Sequence, residues 1–202
     1  LQLKMEDAQY MYNRVPELQY IAPRNARGIF GSAAPRVVRN NKSGDYSIYG
    51  DYPIFTKIAT KFIYDGGRFI NQEDIDQERK VCVIGERTQS ELFEDKENPI
   101  GGYIQISGVF FQVIGVHRYV PGGGFESDSD IFIPFTTFRK LYNTGDKVSW
   151  FAIAAYDDAD ILSVEEDVKT AMRSKYNVHP DDERAFGSFN SGEIFNRAIG
   201  FT

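Results

Sequence analysis

The sequence predicts an α+β fold, because segments with helical periodicity and segments with strand-like composition alternate irregularly, and short turns separate several of them. Hydrophobic residues make up 42% and charged residues 26% of the 202 residues, which is typical of a folded globular protein and excludes a disordered or fibrous chain. The length suffices for one large domain or two small ones.

Helices are predicted where apolar residues recur every three or four positions. One such segment runs from Met5 to Val15 and is ended by Pro16. The strongest runs from Asp160 to Tyr176. Asn71 is a suitable N-cap for a helix whose first turn is acidic. Shorter helical segments are predicted at residues 50–58, 86–93, 136–142 and 191–199.

Strands are predicted where β-branched and aromatic residues lie between turn-forming residues. The clearest signal is a hairpin of Tyr103–Ile106 and Val109–Val116, joined by Ser107-Gly108. Trp150–Tyr156 is apolar throughout, which predicts a buried strand. The remaining predicted strands are residues 18–22, 37–38, 46–48, 61–64, 80–84, 130–134 and 185–189.

Charge and motif content exclude several function classes. The net charge of −6 argues against nucleic acid as a partner, since such proteins carry a basic face. No apolar run approaches the roughly 18 residues that a membrane-spanning helix needs. The phosphate-binding loop, the nucleophile elbow and the dinucleotide fingerprint are absent from the sequence. The chain begins at Leu1 with no initiator methionine or signal-peptide pattern, so we expect it to be a segment of a longer protein.

Residues that could bind a metal or act in catalysis are few. We interpret His117 and His179 as surface histidines and Cys82, which lies in an apolar run, as a buried thiol. The segment Glu126–Asp130 has an acidic residue at every second position, like half of a calcium loop, but lacks the central glycine and the later glutamate. A solvated acidic loop is therefore preferred and calcium is the alternative. We predict no catalytic residue, no cofactor and no metal site.

A glycine-rich loop precedes this acidic segment. No helix follows the glycines, so the loop is not expected to bind a phosphate. A mobile loop tip is the simpler interpretation, and a contact site for a partner protein is the alternative. The residues of this candidate partner-contact loop are Pro121, Gly122, Gly123, Gly124 and Phe125.

Short motifs in the middle of the chain follow one another in a specific order over about 85 residues. They are Gly50-Asp51-Tyr52-Pro53-Ile54-Phe55, Gly67-Arg68-Phe69-Ile70 with Glu73-Asp74, Val81-Cys82-Val83-Ile84-Gly85, Glu91-Leu92-Phe93, Asn98-Pro99-Ile100-Gly101, Ile104-Gln105-Ile106-Ser107-Gly108, Phe111-Gln112-Val113-Ile114-Gly115-Val116 and Asp130-Ile131-Phe132-Ile133-Pro134-Phe135. In this order the motifs resemble the periplasmic core domain of the MacB-like ABC transporter permeases. Residues 17–50 match that pattern only in character, and the loop from Pro121 to Asp130 does not align with it.

The resemblance implies a two-lobed α+β domain. A porter-like α/β lobe would be built from both chain ends, residues 1–55 and 145–202, and a smaller α/β lobe, residues 56–144, would be inserted between them. The motif residues then have structural explanations. Gly67 would allow a backbone turn, Arg68 would pair with a carboxylate or carbonyl groups, and Pro99 with Gly101 would set a turn.

The function implied by the resemblance is mechanical. The domain would lie on the periplasmic side of the bacterial inner membrane and transmit ATP-driven motion of the membrane helices to a substrate or partner protein. It would not be an enzyme, because ATP hydrolysis belongs to a nucleotide-binding domain absent from this chain. The implied partners are a second permease copy, an ABC ATPase subunit or domain and, in a cell with an outer membrane, a periplasmic adaptor and outer-membrane channel.

Three alternatives remain open at this point. The first is a permease of the same family that handles lipoproteins or peptides, or that signals to a sensor kinase. The second is a stand-alone solute-binding module. The third is a soluble enzyme, which a deep pocket lined by convergent polar groups would favour.

Overall fold

The computed structural model describes residues 2–120 and 126–177, and the backbone of residues 194–196. The chain forms two compact units. Unit 1 consists of Leu1–Arg24, Ile54–Ala59 and Asp146–Thr202, and unit 2 consists of Asn25–Pro53 and Thr60–Gly145. Helices and strands occur in both units, which confirms the predicted α+β class.

The helices and strands of the described residues are short, apart from one helix and two strands. The helices are α1 (Asp7–Arg14), α2 (Phe55–Ile58), α3 (Gln72–Asp76), α4 (Glu86–Leu92), α5 (Phe135–Tyr142) and α6 (Ile161–Tyr176). The strands are β1 (Leu3–Lys4), β2 (Leu18–Arg27), β3 (Arg36–Arg39), β4 (Lys42–Asp45), β5 (Ile48–Asp51), β6 (Phe62–Ile63), β7 (Val81–Gly85), β8 (Tyr103–Ile106), β9 (Val109–Arg118), β10 (Ile131–Pro134), β11 (Lys147–Val148), β12 (Trp150–Ala155) and β13 (Ile194–Asn196). No helix among the residues that the structure describes is both long and apolar enough to cross a membrane.

Unit 1 has β12 as its central strand. It pairs antiparallel with residues 18–24 of β2 and parallel with β13. Every residue of β12 is buried, as its apolar sequence predicts. Arg24 is also buried, and its guanidinium carbon lies 3.7 Å from the ring centroid of Phe55 and 4.9 Å from that of Trp150. Two aromatic faces therefore stabilise this buried cation.

The predicted helix over residues 191–199 is wrong for the part that the structure describes. Ile194–Asn196 is a strand, because it pairs in parallel register with Ile153–Ala155. A pairing between segments forty residues apart in sequence overrides the local pattern. The predicted strand at residues 185–189 lies outside the described residues.

Unit 2 is built on one mixed sheet. Its strand order is the end of β2, then β5, β10, β7, β9, β8, β3 and β4, with β6 paired to β9. The pairs β5–β10 and β7–β9 are parallel and the others are antiparallel. One face of the sheet packs against α4 and α5 through Leu92, Phe93 and Phe138, and the buried strand residues of this core include Val37, Ile104 and Phe111.

Residues 25–53 belong to unit 2, whereas the sequence analysis assigned residues 1–55 to the lobe built from the chain ends. The reason is strand pairing: β5 pairs with β10, and β3 pairs with β8. The predicted helical segment also begins later than expected, because Gly50 and Asp51 complete β5. That the two units correspond to a porter-like lobe and an inserted lobe stays a prediction.

The local turn signals are confirmed. Ser107 and Gly108 have φ values of 50° and 82°, and Ile106 pairs with Val109, so the two residues form a type I′ hairpin turn. The Gly102 N–H donates to the Pro99 carbonyl oxygen at 2.9 Å, which closes the predicted turn. The second turn precedes β8 and the first follows it.

Candidate functional site

The candidate partner-contact loop, Pro121–Phe125, lies outside the described residues. The structure does describe the residues on either side of it, His117–Val120 and Glu126–Asp130, and their neighbours Thr60 and Lys61. We call these residues the loop base. A cavity of about 30 Å³ lies among them, too small for a substrate. The loop base is therefore characterised by its side-chain contacts.

A largely buried ion pair joins Lys61 to Glu126, the first residue after the loop. The ammonium group of Lys61 pairs with the carboxylate of Glu126, and these side chains are only 8% and 13% exposed. The Lys61 Nζ also lies 5.1 Å from the ring centroid of Phe132. Because Glu126 is paired and largely buried, the prediction of a solvated acidic loop is wrong for this residue.

Asp130 is buried as well and fixes the turn that follows the loop. Its carboxylate accepts the backbone N–H of Ser127 at 2.7 Å and the Ser127 hydroxyl at 3.2 Å. The Thr88 hydroxyl donates to the Ser129 carbonyl oxygen at 2.6 Å and ties the segment to α4. Asp128 lies beside Arg87, with 3.9 Å between Oδ1 and Nη1. The acidic residues thus have protein partners, and no group of three potential metal ligands occurs among the described residues.

His117 is the clearest error of the sequence analysis at this site. It is 4% exposed instead of lying at the surface, and its Nε2–H donates to the Asp130 carbonyl oxygen at 2.6 Å. Its ring lies edge-on to Phe132, with 5.0 Å between the centroids. Burial lowers the pKa of His117 to about 4, so the ring is neutral at neutral pH. His179 lies outside the described residues.

Exposed aromatic residues lie in β6 and directly after β6 and β9. Phe62, Tyr64 and Tyr119 are 43%, 47% and 46% exposed. The guanidinium of Arg118 lies 5.2 Å from the ring centroid of Phe62, its partner in the β6–β9 register. Strand alternation at residues 62–64 could have signalled the exposure of Phe62 and Tyr64, but not that of Tyr119.

The Gly-Arg-Phe motif and the acidic pair after it form one network. Asp74 is fully buried and accepts two hydrogen bonds from Arg68, at 2.7 and 3.2 Å, and one from Arg79 at 3.3 Å. Asn71 and Asp74 form a capping box at the start of α3, as the N-cap prediction required. Burial alone would raise the pKa of Asp74, but the hydrogen bonds from Arg68 and Asn71 hold it below its usual range. Arg68 is thus a structural residue.

Gly67 has a different role from the predicted one. Its backbone does not require glycine, but a Cβ at this position would lie 2.7 Å from the Gly115 Cα. A Cβ on Gly115 would in turn lie 2.4 Å from the Arg68 carbonyl oxygen. The two glycines let residues 66–68 lie directly against β9, where the Arg68 N–H donates to the Ile114 carbonyl at 3.0 Å.

A second polar cluster lies in unit 1 and was missed by the sequence analysis. Asp7, at the start of α1, is fully buried and accepts hydrogen bonds from the Lys4 N–H at 2.9 Å and the Tyr176 hydroxyl at 2.6 Å. It also pairs with the ammonium group of Lys175, which lies 3.0 Å from the Glu6 carboxylate. Burial and the Asp7 carboxylate raise the pKa of Tyr176 to about 12. We call these residues the α1–α6 clamp: Lys4, Glu6, Asp7, Lys175 and Tyr176.

None of the three groups described here, the loop base, the Asp74 network and the α1–α6 clamp, has the arrangement of a catalytic site. Asp7 and Asp74 are enclosed by donors, and the His117 ring uses Nε2 on a backbone carbonyl. Cys82 is fully buried as predicted, and burial raises the pKa of its thiol well above its ordinary value. These contacts hold backbone segments together, which is the behaviour of a structural scaffold.

Comparison with known proteins identifies relatives of the whole fold. The family model described as "MacB-like periplasmic core domain" matches residues 2–171. The chain is 26% identical over 197 residues to the macrolide export ATP-binding/permease protein MacB of Bdellovibrio bacteriovorus, covering 96% of this chain and 29% of that protein. It is 30% identical over 174 residues to the pyoverdine export ATP-binding/permease protein PvdT of Pseudomonas syringae pv. tomato, covering 84% of this chain and 25% of that protein.

Solved structures show the same fold. The periplasmic region of MacB from Actinobacillus actinomycetemcomitans superposes with a TM-score of 0.70 at 21% identity, covering 88% of this chain and 77% of that one. The extracellular domain of the noncanonical ABC-type transporter YknZ from Gram-positive bacteria superposes with a TM-score of 0.71 at 16% identity, covering 88% and 86%. The chain spans less than a third of the length of the two curated relatives described above.

Proposed function

This chain belongs to the family of MacB-like periplasmic core domains, and from that membership we propose that it transmits ATP-driven motion of membrane helices to a substrate or partner protein outside the membrane. It is an extracytoplasmic domain of an ABC transporter permease. The motion would be that of a rigid body carried by the membrane helices, so the domain must resist deformation where the force enters.

The observation that supports this proposal most directly is the α1–α6 clamp. It joins the first described helix of the chain to the longest one, through residues that are 168 positions apart in sequence. A carboxylate that is fully buried and accepts charge-assisted hydrogen bonds is a stiff connection, because each donor that is released removes part of the compensation of a buried charge. The clamp would therefore make α1 and α6 move together.

We propose export as the process that this motion serves, since the names of both relatives described above contain the word export. The proposed partners are a second permease copy, an ABC ATPase subunit or domain and, where an outer membrane is present, a periplasmic adaptor with its channel. The proposed location is the periplasmic side of the bacterial inner membrane.

The test is to weaken the clamp in the full-length transporter. Asp7→Asn removes the charge that Lys175 pairs with, and Tyr176→Phe removes one hydrogen bond to the same carboxylate. We expect ATP hydrolysis to continue while export falls several-fold for Asp7→Asn and less for Tyr176→Phe. Hydrolysis and export would be measured on the same reconstituted preparation.

Gln9→Ala is the matched control, because Gln9 lies on α1 but makes only an exposed hydrogen bond to Asn13. It should leave hydrolysis and export unchanged. Denaturant unfolding of the 202-residue chain is measured for each variant. A cooperative transition shows that the variant folds, and we expect a lower free energy of unfolding for Asp7→Asn. Export at the normal rate in a folded Asp7→Asn variant of reduced stability would refute the proposal.

A further inference from the structure

The cavity in the loop base is small and has polar walls. Its volume is about 30 Å³, and the residues that line it include Lys61, His117, Glu126 and Ser127. A water molecule needs roughly 10 to 15 Å³ of cavity volume and about two to four polar partners. The cavity therefore has room for one water molecule, or at most two, and not for an organic ligand.

His117 provides this cavity with a hydrogen-bond acceptor. The ring is 4% exposed, and its Nε2–H donates to the Asp130 carbonyl oxygen. Burial lowers the pKa of the ring to about 4, so at neutral pH the ring carries one N–H and Nδ1 keeps its lone pair. No group among the described residues donates a hydrogen bond to this Nδ1.

The position of the ring directs Nδ1 to the cavity. His117 lines the cavity, but Asp130, which accepts the hydrogen bond from Nε2, does not. The Nε2 side of the ring is therefore turned away from the cavity, and the Nδ1 side is the polar side that faces it.

A ligand of this cavity must donate a hydrogen bond to Nδ1. A buried acceptor without a hydrogen bond is unfavourable, because the atom has given up solvent without gaining a partner. A metal cation does not fit, since the ammonium group of Lys61 lines the same cavity. An anion such as chloride does not fit either, because it has no hydrogen to donate.

The ion pair of Lys61 and Glu126 offers both kinds of hydrogen bond to such a ligand. Both residues line the cavity, and their side chains are only 8% and 13% exposed. An ammonium group has three N–H donors and a carboxylate has two acceptor oxygens. A water molecule can give one hydrogen to Nδ1 and still accept from the ammonium or donate to the carboxylate. Its donors and acceptors match all three groups.

We infer that the cavity binds one structural water molecule, which donates a hydrogen bond to His117 Nδ1 and makes a second one to the Lys61–Glu126 ion pair. The water joins three segments of unit 2: the residues before β6, strand β9, and the segment that begins at Glu126. The site is independent of the proposed function, since it requires no transmitted motion.

A crystal structure of the 202-residue chain at neutral pH, at a resolution that shows ordered water, tests the position. We expect one density peak that refines as water within about 3.2 Å of His117 Nδ1. It should also lie within hydrogen-bond distance of the Lys61 ammonium or the Glu126 carboxylate. A cavity without a peak, a peak that refines as an ion, or a Lys61 ammonium bonded directly to Nδ1 would each overturn the inference.

NMR spectroscopy of the same chain tests for the water in solution, and the ring supplies its own control. The Hε1 proton of His117 lies beside Nδ1 as well as Nε2, whereas the Hδ2 proton lies beside Nε2 only. We expect an NOE cross-peak between water and Hε1, with the sign of a long-lived contact, and none between water and Hδ2. Transfer through the labile Nε2–H would reach both protons. Cross-peaks of equal strength at the two protons, or the lack of one at Hε1, would therefore also overturn the inference.

Discussion

His117 makes the stability of this protein depend on pH in a way that one substitution should remove. The pKa of its ring falls from an ordinary value near 6.5 to about 4 in the folded state, chiefly because the ring is buried. The ammonium group of Lys61 opposes protonation as well, while the carboxylates of Glu86 and Asp128 and the hydrogen bond to the Asp130 carbonyl favour it.

The direction of this pH dependence follows from proton binding to His117. Between about pH 6.5 and pH 4 the unfolded chain binds a proton at His117 and the folded chain does not, so acid favours unfolding in that interval. Each pKa unit corresponds to about 1.4 kcal/mol, so the whole interval is worth about 3 kcal/mol of unfolding free energy. The contribution is fully present above pH 6.5 and is lost as the pH falls towards 4.

His117→Gln is the appropriate substitution, because its amide N–H can donate to the Asp130 carbonyl in place of Nε2 but does not titrate. Denaturant unfolding of the 202-residue chain would be followed at pH 7.0, 6.0, 5.0 and 4.5 by the fluorescence of the buried Trp150, the single tryptophan. We expect the wild type to lose about 2 kcal/mol more than the variant over this range.

The comparison with the variant removes the contributions of other groups, including His179, because these titrate in both proteins. If the two curves of unfolding free energy against pH run parallel, the His117 ring titrates equally in the folded and unfolded states and the reasoning is refuted. An NMR titration of the His117 ring in the folded protein provides an independent check, with a midpoint expected near pH 4.

Two further substitutions test the scaffold of unit 2. Asp74→Asn should lower the free energy of unfolding by about 1 to 3 kcal/mol, since it weakens the charge-assisted hydrogen bonds that this buried carboxylate accepts from the partly exposed Arg68 and Arg79. The exposed control Asp76→Asn should change it by less than about 0.5 kcal/mol, and equal effects in denaturant melts would contradict the network. Gly67→Ala should destabilise by about 1 to 3 kcal/mol because its Cβ would meet the backbone of β9, and a thermal midpoint equal to that of wild type would show that Gly115 can move away.

The features predicted correctly from the sequence depend on neighbouring residues. The Ser107-Gly108 turn needs only its own two positive φ values, and the capping box needs only Asn71 and Asp74, three residues apart. Arg68 could be assigned a carboxylate partner because that carboxylate lies six residues away. Such signals are complete within one turn or one helix, so periodicity and residue type suffice to find them.

The features that were missed depend on distant segments. His117 is buried because Asp130, Phe132 and Lys61 come together around it, and no local pattern at residue 117 indicates this. The pairing of β13 with β12 likewise overrode a helical pattern. The α1–α6 clamp joins Asp7 to Lys175, and without a known register between these segments an aspartate in a first helical turn predicts only a favourable helix dipole.

The motifs that reveal the family consist largely of residues in the protein interior. Along β9, the motif residues Phe111 and Val113 are buried in the core, while Phe110 and Gln112 alternate with them and lie on the other face of the sheet. A strand alternates sides with a period of two, so selection for the core at positions 111 and 113 places no constraint on what positions 110 and 112 contact. Relatives that are named for the export of different molecules can therefore share this fold through similar core residues.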